Sequence, residues 1–379
     1  MRQAVRRIVL CSVVLQAALF AAQGHRKTTS LHSGAATGAW SFAYAGDSRN
    51  CGDVVMPAIA AGALRDHASF YWHLGDYRAN TNIDQDIHQL NPTLTKDEYL
   101  KRMWPDFIQN QLVPFGDLPV RLGIGNHELV PPRTRGEFLA QFADWFDAPP
   151  IKAQRLRDDA SDHLLKTYYH WIQNGVDFVT LDNASAEQFD SDQVQWFEGV
   201  LKRAASNPAV RSVVVGMHDA LPDSVSAGHS MNESEQGTIS GRRVYNDLAA
   251  FRKSTRKHVY VLASHSHFVM DNVYNTACRR ANKQEILTGW IVGTAGATRY
   301  RLPQEHSAST IAKTDVYGYV LATVSPDGSM QFQFKQLSPA DIPRSVVDRY
   351  SDDFVNQCFS GNQANYVPAG PVQPPQCPQ

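Results

Sequence analysis

The stretch Gly123-Ile124-Gly125-Asn126-His127-Glu128 follows an apolar run at residues 118–122. Glycines around a short apolar segment predict a strand that ends in a tight turn, and this turn presents Asn126, His127 and Glu128. Open α/β sheets bind ligands outside the carboxyl ends of their strands. The stretch therefore predicts an α/β fold with a functional site at this strand end.

Residues that commonly bind metals follow four other predicted strands in the same way. These strand ends carry Asp47 after residues 40–45, Asp76 after 70–74, His218 after 213–215, and the pair His265 and His267 after 258–263. A lone buried histidine is more often hydrogen-bonded in a core, and a lone aspartate often caps a helix. His265 and His267 alternate along a strand, so both point to the same side. Together the five strand ends predict a metal site.

The order Asp, Asp, Asn-His, His and His-x-His resembles the motif series of the calcineurin-like metallophosphoesterase family, over roughly residues 40–324. The resemblance implies a two-sheet β-sandwich flanked by helices, with the metal site at the carboxyl ends of the strands. It also implies two divalent ions that hold a phosphate and activate a water molecule. Histidine, amide and carboxylate ligands admit zinc, manganese or iron.

Transferred to this chain, the family pattern implies six metal ligands: Asp47 and His267 on the first ion, Asn126, His218 and His265 on the second, and Asp76 between them. Asn126 and His127 would also contact the substrate. His127 matches a histidine that protonates the leaving group without binding metal. The implied activity is hydrolysis of phosphomonoesters or small phosphodiesters.

The first motif departs from the family pattern. The usual Asp-x-His is Asp47-Ser48-Arg49 here, so one imidazole ligand is missing. The purple acid phosphatase branch has a tyrosine three residues after the bridging aspartate, but that position is Ala79, and Tyr77 has the wrong spacing. A guanidinium suits a phosphate oxygen, although Arg49 in a salt bridge is equally compatible with the sequence.

The departure leaves two other functions to weigh. A family member that has lost catalysis and only binds phosphate-containing ligands is one, but the intact Asn126-His127 pair argues against it. A nuclease is the other. With 36 Lys and Arg against 37 Asp and Glu, the chain lacks the basic character that nucleic-acid binding favours, so we expect a small phosphorylated substrate and no nucleic-acid partner.

The first 24 residues predict a cleaved signal peptide. Arg2, Arg6 and Arg7 precede an apolar run at 8–22, which is short for a membrane span, and Gly24 offers a small residue for cleavage. We therefore expect a secreted or periplasmic protein without a stable membrane anchor. Four cysteines then remain, and at least one disulfide is expected, with the pairing left open among Cys51, Cys278, Cys358 and Cys377.

The rest of the chain is assigned to one domain at 38–340 and a C-terminal tail at 341–379. Asn174-Gly175 predicts a hairpin, and Thr95 with Glu98 predicts a helix start. Residues 222–243 are polar and lack periodicity, so a loop or lid is predicted there. His73 is expected to be structural, and His229 to be solvated or a substrate contact.

Overall fold

The computed structural model describes residues 38–226, 228–304 and 308–363, all of which belong to one compact unit. The strands are β1 (Trp40–Ala45), β2 (Tyr71–His73), β3 (Val120–Leu122), β4 (Tyr169–Gln173), β5 (Val176–Thr180), β6 (Ser212–Gly216), β7 (His258–Ala263), β8 (Val269–Asp271), β9 (Thr288–Val292), β10 (Ala312–Lys313), β11 (Tyr317–Val324) and β12 (Met330–Leu337). The helices are α1 (Gly52–Arg65), α2 (Gln85–Leu90), α3 (Lys96–Phe107), α4 (Arg135–Gln141), α5 (Ala143–Phe146), α6 (Pro149–Asp158), α7 (Ser191–Ser206), α8 (Glu235–Thr255), α9 (Ala277–Ala281), α10 (Arg344–Tyr350) and α11 (Asp352–Gly361).

The strands form two sheets with parallel centres. One has the order β12-β11-β1-β2-β3, and β1, β2 and β3 are parallel. The other has the order β10-β8-β9-β7-β6-β5-β4, and β5, β6, β7 and β9 are parallel. Parallel strands end at the same edge of a sheet, so each sheet collects its strand-end residues along one edge. This confirms the predicted two-sheet α/β fold.

Aromatic side chains fill the space between the sheets. Phe42 of β1 packs edge-on against Phe178 of β5 with ring centroids 5.1 Å apart, and Trp72 of β2 packs against Trp171 of β4 at 5.4 Å. All four rings are at most 1% exposed. Burying each such ring stabilises the fold by roughly 1.5–3 kcal/mol, and edge-to-face pairing adds to this.

The C-terminal helices pack beside the first strand end. A disulfide joins Cys51, just before α1, to Cys358 of α11, which confirms the expectation of at least one bridge. Cys278 is disulfide-bonded as well. Arg299 is fully buried and donates from Nη2 to the carbonyl of Phe359 at 2.7 Å. Within the predicted tail, α10 and α11 are helical, and the disulfide and Arg299 hold α11 to the rest of the domain. The predicted signal peptide lies outside the described residues.

One assignment from the sequence is wrong. The predicted loop at 222–243 includes the first half of α8, which begins at Glu235 behind the N-cap Ser234. Its glycines lower helix propensity but permit close packing. A Cβ on Gly241 would lie 2.4 Å from Pro222, and one on Gly237 would lie 2.5 Å from the carbonyl oxygen of Glu187. Tertiary packing therefore overrides the local pattern.

Several local predictions are confirmed. β4 and β5 form the antiparallel hairpin across Asn174-Gly175, with Gln173 paired to Val176. Thr95 caps α3 in a capping box with Glu98. No helix in the described ranges is long and apolar enough to cross a membrane.

A buried histidine links the hairpin to α6. His170 of β4 donates from Nδ1 to Asp177 at 2.8 Å and from Nε2 to Asp158 at 2.5 Å, and Arg203 also donates to Asp158. Burial opposes a charge here, but the carboxylates, Asp177 foremost, raise the pKa of His170 to about 9. Burial raises the pKa of Asp177, whereas the bond from His170 helps to keep that of Asp158 low. Since both ring nitrogens face carboxylates, His170 is an imidazolium at neutral pH.

This charge predicts a pH-dependent stability. Because the folded pKa exceeds the unfolded value of about 6.5, the stabilisation is complete below pH 6.5 and lost as pH rises through about 9. The difference in free energy of unfolding between the wild type and His170→Gln should shrink by about 2–3 kcal/mol from pH 6 to pH 9.5. Urea denaturation across this range measures it, and a difference independent of pH would contradict the assignment.

Candidate metal centre

Five strand ends deliver the predicted ligands to one place. Asp47, Asp76 and His265 follow their strands in left-handed backbone conformations, with φ of 61°, 60° and 62°. Among residues other than glycine, asparagine, aspartate and histidine adopt this conformation most readily, and it is concentrated at functional sites. Asn126 begins a 3-10 turn after β3, and His218 lies two residues beyond β6.

Three predicted ligand atoms surround the Nε2 atom of His218. Its Nε2 lies 3.3 Å from Asp76 Oδ1, 3.1 Å from Asn126 Oδ1 and 3.0 Å from His265 Nδ1. The other ring nitrogen of His218, Nδ1, lies 3.0 Å from the carbonyl oxygen of Leu74 and donates to it. Burial opposes charge, but the Asp76 carboxylate raises the pKa of His218 to about 10. A single proton on Nε2 can serve only one of these acceptors, whereas a cation serves all of them.

A second group lies next to the first. Asp47 Oδ1 is 3.4 Å from His267 Nε2, and these two residues with Asp76 offer ligand atoms within 4.8 Å of one another. Asp47 Oδ1 and Asp76 Oδ2 are buried and have no hydrogen-bond partner within the described ranges. Burial, followed by the neighbouring Arg49, lowers the pKa of His267 to about 4, so its ring is neutral. Buried carboxylate oxygens without a hydrogen bond fit a nearby cation.

The predicted non-ligand residues also lie here. His127 is 9% exposed, and its Nδ1 bonds to the carbonyl oxygen of Ala79. Its Nε2 accepts from Nη1 of Arg49. Burial lowers the pKa of His127, and the guanidinium of Arg49 lowers it further. The structure thus brings all eight predicted site residues into one cluster. Its members are Asp47, Arg49, Asp76, Asn126, His127, His218, His265 and His267.

The two other histidines considered from the sequence occupy different places. His73 is fully buried, with Nε2 2.9 Å from the Ser48 hydroxyl, and burial lowers its pKa to about 3. His229 lies at the rim instead, where its ring meets that of His265 edge-on at 4.9 Å. Its Nδ1 is 3.3 Å from Glu233, and these two residues with His265 form a further group with metal-ligand spacing.

Three residues of the centre received no role from the sequence. Glu128 accepts from the backbone N–H groups of Asp76, Tyr77 and Gly125 at 2.8–2.9 Å, which ties the second and third strand ends together. Tyr300 stacks on His267 with ring centroids 3.9 Å apart. Asp219 is fully buried, with Oδ1 3.2 Å from His265 Nε2.

A histidine that binds a metal through one ring nitrogen commonly donates its other N–H to a carboxylate, which orients the ring. Asp219 is placed to do this for His265, since it faces Nε2 while Nδ1 faces His218. Burial, followed by the nearby Glu187 and Glu233, raises its pKa, partly offset by His218. Its position directly after His218 was the only signal in the sequence. Glu128 had a stronger signal as the last residue of Asn126-His127-Glu128.

The fold has counterparts among solved structures. No family model matches the chain, and no curated protein matches it by sequence. A purple acid phosphatase from yellow lupin (Lupinus luteus) seeds shares 16% sequence identity at a TM-score of 0.55, with 79% of this chain and 51% of that chain covered. The chain thus spans about half the length of that protein. A structure of PhoD shares 15% identity at a TM-score of 0.47, with coverage of 79% and 72%. The likeness to the lupin protein confirms the fold.

Replacing Glu128 tests whether its carboxylate organises the centre. In the wild type, both carboxylate oxygens of Glu128 accept from backbone N–H groups. Glu128→Gln replaces one oxygen by an NH₂ group, which cannot accept, so at least one of these hydrogen bonds is lost. We expect a loss of about 1–3 kcal/mol in the free energy of unfolding, together with weaker metal binding. The exposed Glu285, paired with Arg252, provides the matched control Glu285→Gln. Equal stability and metal affinity of the two variants would contradict this role.

Proposed function

We propose that this chain is an exported, metal-dependent phosphoesterase that hydrolyses phosphomonoesters or small phosphodiesters. The observation that carries the proposal is the convergence of acceptor atoms from Asp76, Asn126 and His265 on His218 Nε2, all within 3.0–3.3 Å. A bound cation would satisfy all of these buried acceptor atoms together. Phosphate esters are the substrate class that the fold likeness and the motif order favour.

The donor atoms fit a divalent ion of the zinc, manganese or iron type. Imidazole nitrogens combined with carboxylate and amide oxygens are typical of such ions. Asp76, Asn126, His218 and His265 would hold one ion. The two-metal prediction assigns a second ion to Asp47, Asp76 and His267. When bound, metal ions at this centre supply Lewis acidity toward a phosphate oxygen and make water more acidic.

The protein itself contributes positioning and a proton. In hydrolysis, a water oxygen bonds to phosphorus, the bond to the leaving alcohol breaks, and the alcohol oxygen takes up a proton while the water gives one up. His127 Nε2 accepts from Arg49 Nη1 and would hold that proton as an imidazolium when the Arg49 N–H turns to a phosphate oxygen. The Arg49 guanidinium and the amide NH₂ of Asn126 offer N–H groups to phosphate oxygens.

Export is supported by the disulfide between Cys51 and Cys358, which fits a secreted or periplasmic location.

The alternative function is a phosphate-binding protein without catalysis. It is favoured by the contact of Arg49 with His127 Nε2, because the guanidinium occupies the position proposed for the proton. Turnover of an aryl phosphomonoester and an aryl phosphodiester by metal-loaded protein separates the two. Binding of inorganic phosphate without turnover of either ester would establish the alternative.

Asp76→Asn tests the metal centre. A neutral amide is a weaker metal ligand than a carboxylate, so turnover should fall below about a tenth of the wild-type value, since loss of a principal metal contact costs several kcal/mol of transition-state stabilisation. Thermal unfolding should show that the variant still folds. Asp348→Asn, an exposed carboxylate paired with Arg344 on α10, is the matched control. Turnover above a tenth of wild type would refute the role of Asp76 as a metal ligand.

His127→Ala tests the proton donor. The rate should fall about 10²–10⁴-fold for alkyl phosphates, whose leaving groups need a proton, and much less for aryl phosphates with good leaving groups. Metal content, measured by mass spectrometry of the purified protein, should not change. An equal loss on both substrates, or a loss of metal, would assign His127 a different role.

A further inference from the structure

A guanidinium lies among the ligand atoms of the second metal group. Arg49 Nη2 is 2.8 Å from His267 Nε2, and Arg49 Nε is 3.7 Å from Asp76 Oδ2. Its Nη1 contacts His127 Nε2. The side chain therefore brings a positive charge to the position where the Asp47, Asp76 and His267 group would hold an ion.

The guanidinium and a metal ion need the same lone pair. His267 Nδ1 lies 2.5 Å from the carbonyl oxygen of Thr298, so the ring hydrogen is on Nδ1 and donates to that oxygen. Nε2 then carries a lone pair, which accepts from Arg49. A metal ion bound to His267 through Nε2 would displace this hydrogen bond. The two cations are thus mutually exclusive at His267.

The surrounding structure holds Arg49 in this position. The side chain is 13% exposed, and Nη2 also donates to the Tyr300 hydroxyl at 3.4 Å. The next residue, Asn50, donates its backbone N–H to Asp84 at 2.6 Å, and Cys51 is anchored to α11 by the disulfide. Withdrawing the guanidinium would break contacts on both sides of the centre.

The charge balance favours one metal ion. Two divalent ions and Arg49 would place five positive charges beside the two carboxylates of Asp47 and Asp76, whereas one divalent ion and Arg49 place three there. Like charges a few ångströms apart in a buried site repel by several kcal/mol even at an effective dielectric constant near 20.

We infer that this centre binds one divalent ion, at Asp76, Asn126, His218 and His265, and that the Arg49 guanidinium is its second cation. The inference rests on the proposed function only in assigning the guanidinium a phosphate to bind. There, Arg49 donates N–H groups to phosphate oxygens on the side of Asp47 and His267. It offers charge and geometry but cannot make water more acidic as a metal does.

Metal stoichiometry tests this without any assay of activity. Wild type, Arg49→His and the control Arg135→His are saturated separately with Zn²⁺ and with Mn²⁺, freed of excess metal by gel filtration, and analysed by mass spectrometry. We expect one ion per chain in the wild type, two in Arg49→His and one in Arg135→His. Arg135 is a suitable control because its guanidinium pairs with Asp182 outside the centre.

Two ions in the wild type, or one in both the wild type and a folded Arg49→His, would overturn the inference. If Arg49→His fails to fold, Arg49→Ala replaces it in a calorimetric Zn²⁺ titration, where a second, weaker site supports the inference and its absence overturns it. Wild type that binds no metal would overturn the inference and also refute the proposed metal-dependent function. One ion with no turnover of phosphate esters would leave the inference standing and refute the esterase activity alone.

Discussion

The geometry of the centre depends on how closely the two sheets approach each other. The ring of Trp72 from one sheet occupies the space that a side chain at Gly216 of the other would need, since a Cβ there would lie 2.4 Å from the ring. Any larger residue at position 216 would force the sheets apart near the end of β6, only two residues before His218. Ligands that must meet within about 3 Å do not tolerate such a shift, because metal coordination fixes distances to a few tenths of an ångström.

Close approach of backbone segments also constrains the turns within the centre. A Cβ on Gly125 would lie 2.3 Å from Asp76 Oδ1, and one on Gly75 would lie 2.6 Å from the backbone nitrogen of Gly125. The two strand-end turns thus touch through their backbones, and Glu128 joins them by accepting from N–H groups of both. Glycine is required on each side for steric reasons, and Glu128 satisfies donors that the buried turns would otherwise leave unpaired.

The buried charges explain why the departure at Arg49 matters. Removing a carboxylate from water is costly, and here Asp47 and Asp76 each keep one oxygen without a hydrogen bond from the described residues. Positive charge must offset that cost. Burial opposes the charge on Arg49, but Asp76 foremost, with Tyr300 and Asp47, raises the pKa of the guanidinium, so it remains a cation. An arginine in place of an imidazole therefore changes the source of positive charge in the centre.

The sequence by itself determined the types of ligand and their attachment to strand ends, because both follow from local order along the chain: a strand, a turn, then a polar residue. It also determined the hairpin at Asn174-Gly175 and the cap at Thr95, which depend on neighbouring residues alone. The start of α8 was not predictable in this way. Its glycines disfavour a helix locally, and only their close packing against Glu187 and Pro222 accounts for them.

Only the tertiary structure decided which residues surround the ligands. Tyr300, Asp219 and the guanidinium of Arg49 reach the centre from segments far apart in sequence, and their contacts depend on how the two sheets and α11 pack. From the sequence, a salt bridge and a phosphate contact were equally compatible with Arg49. The structure places Arg49 in a salt bridge with Asp76 and also against His127 and His267. Side-chain direction in a buried site is set by neighbours that no local pattern contains.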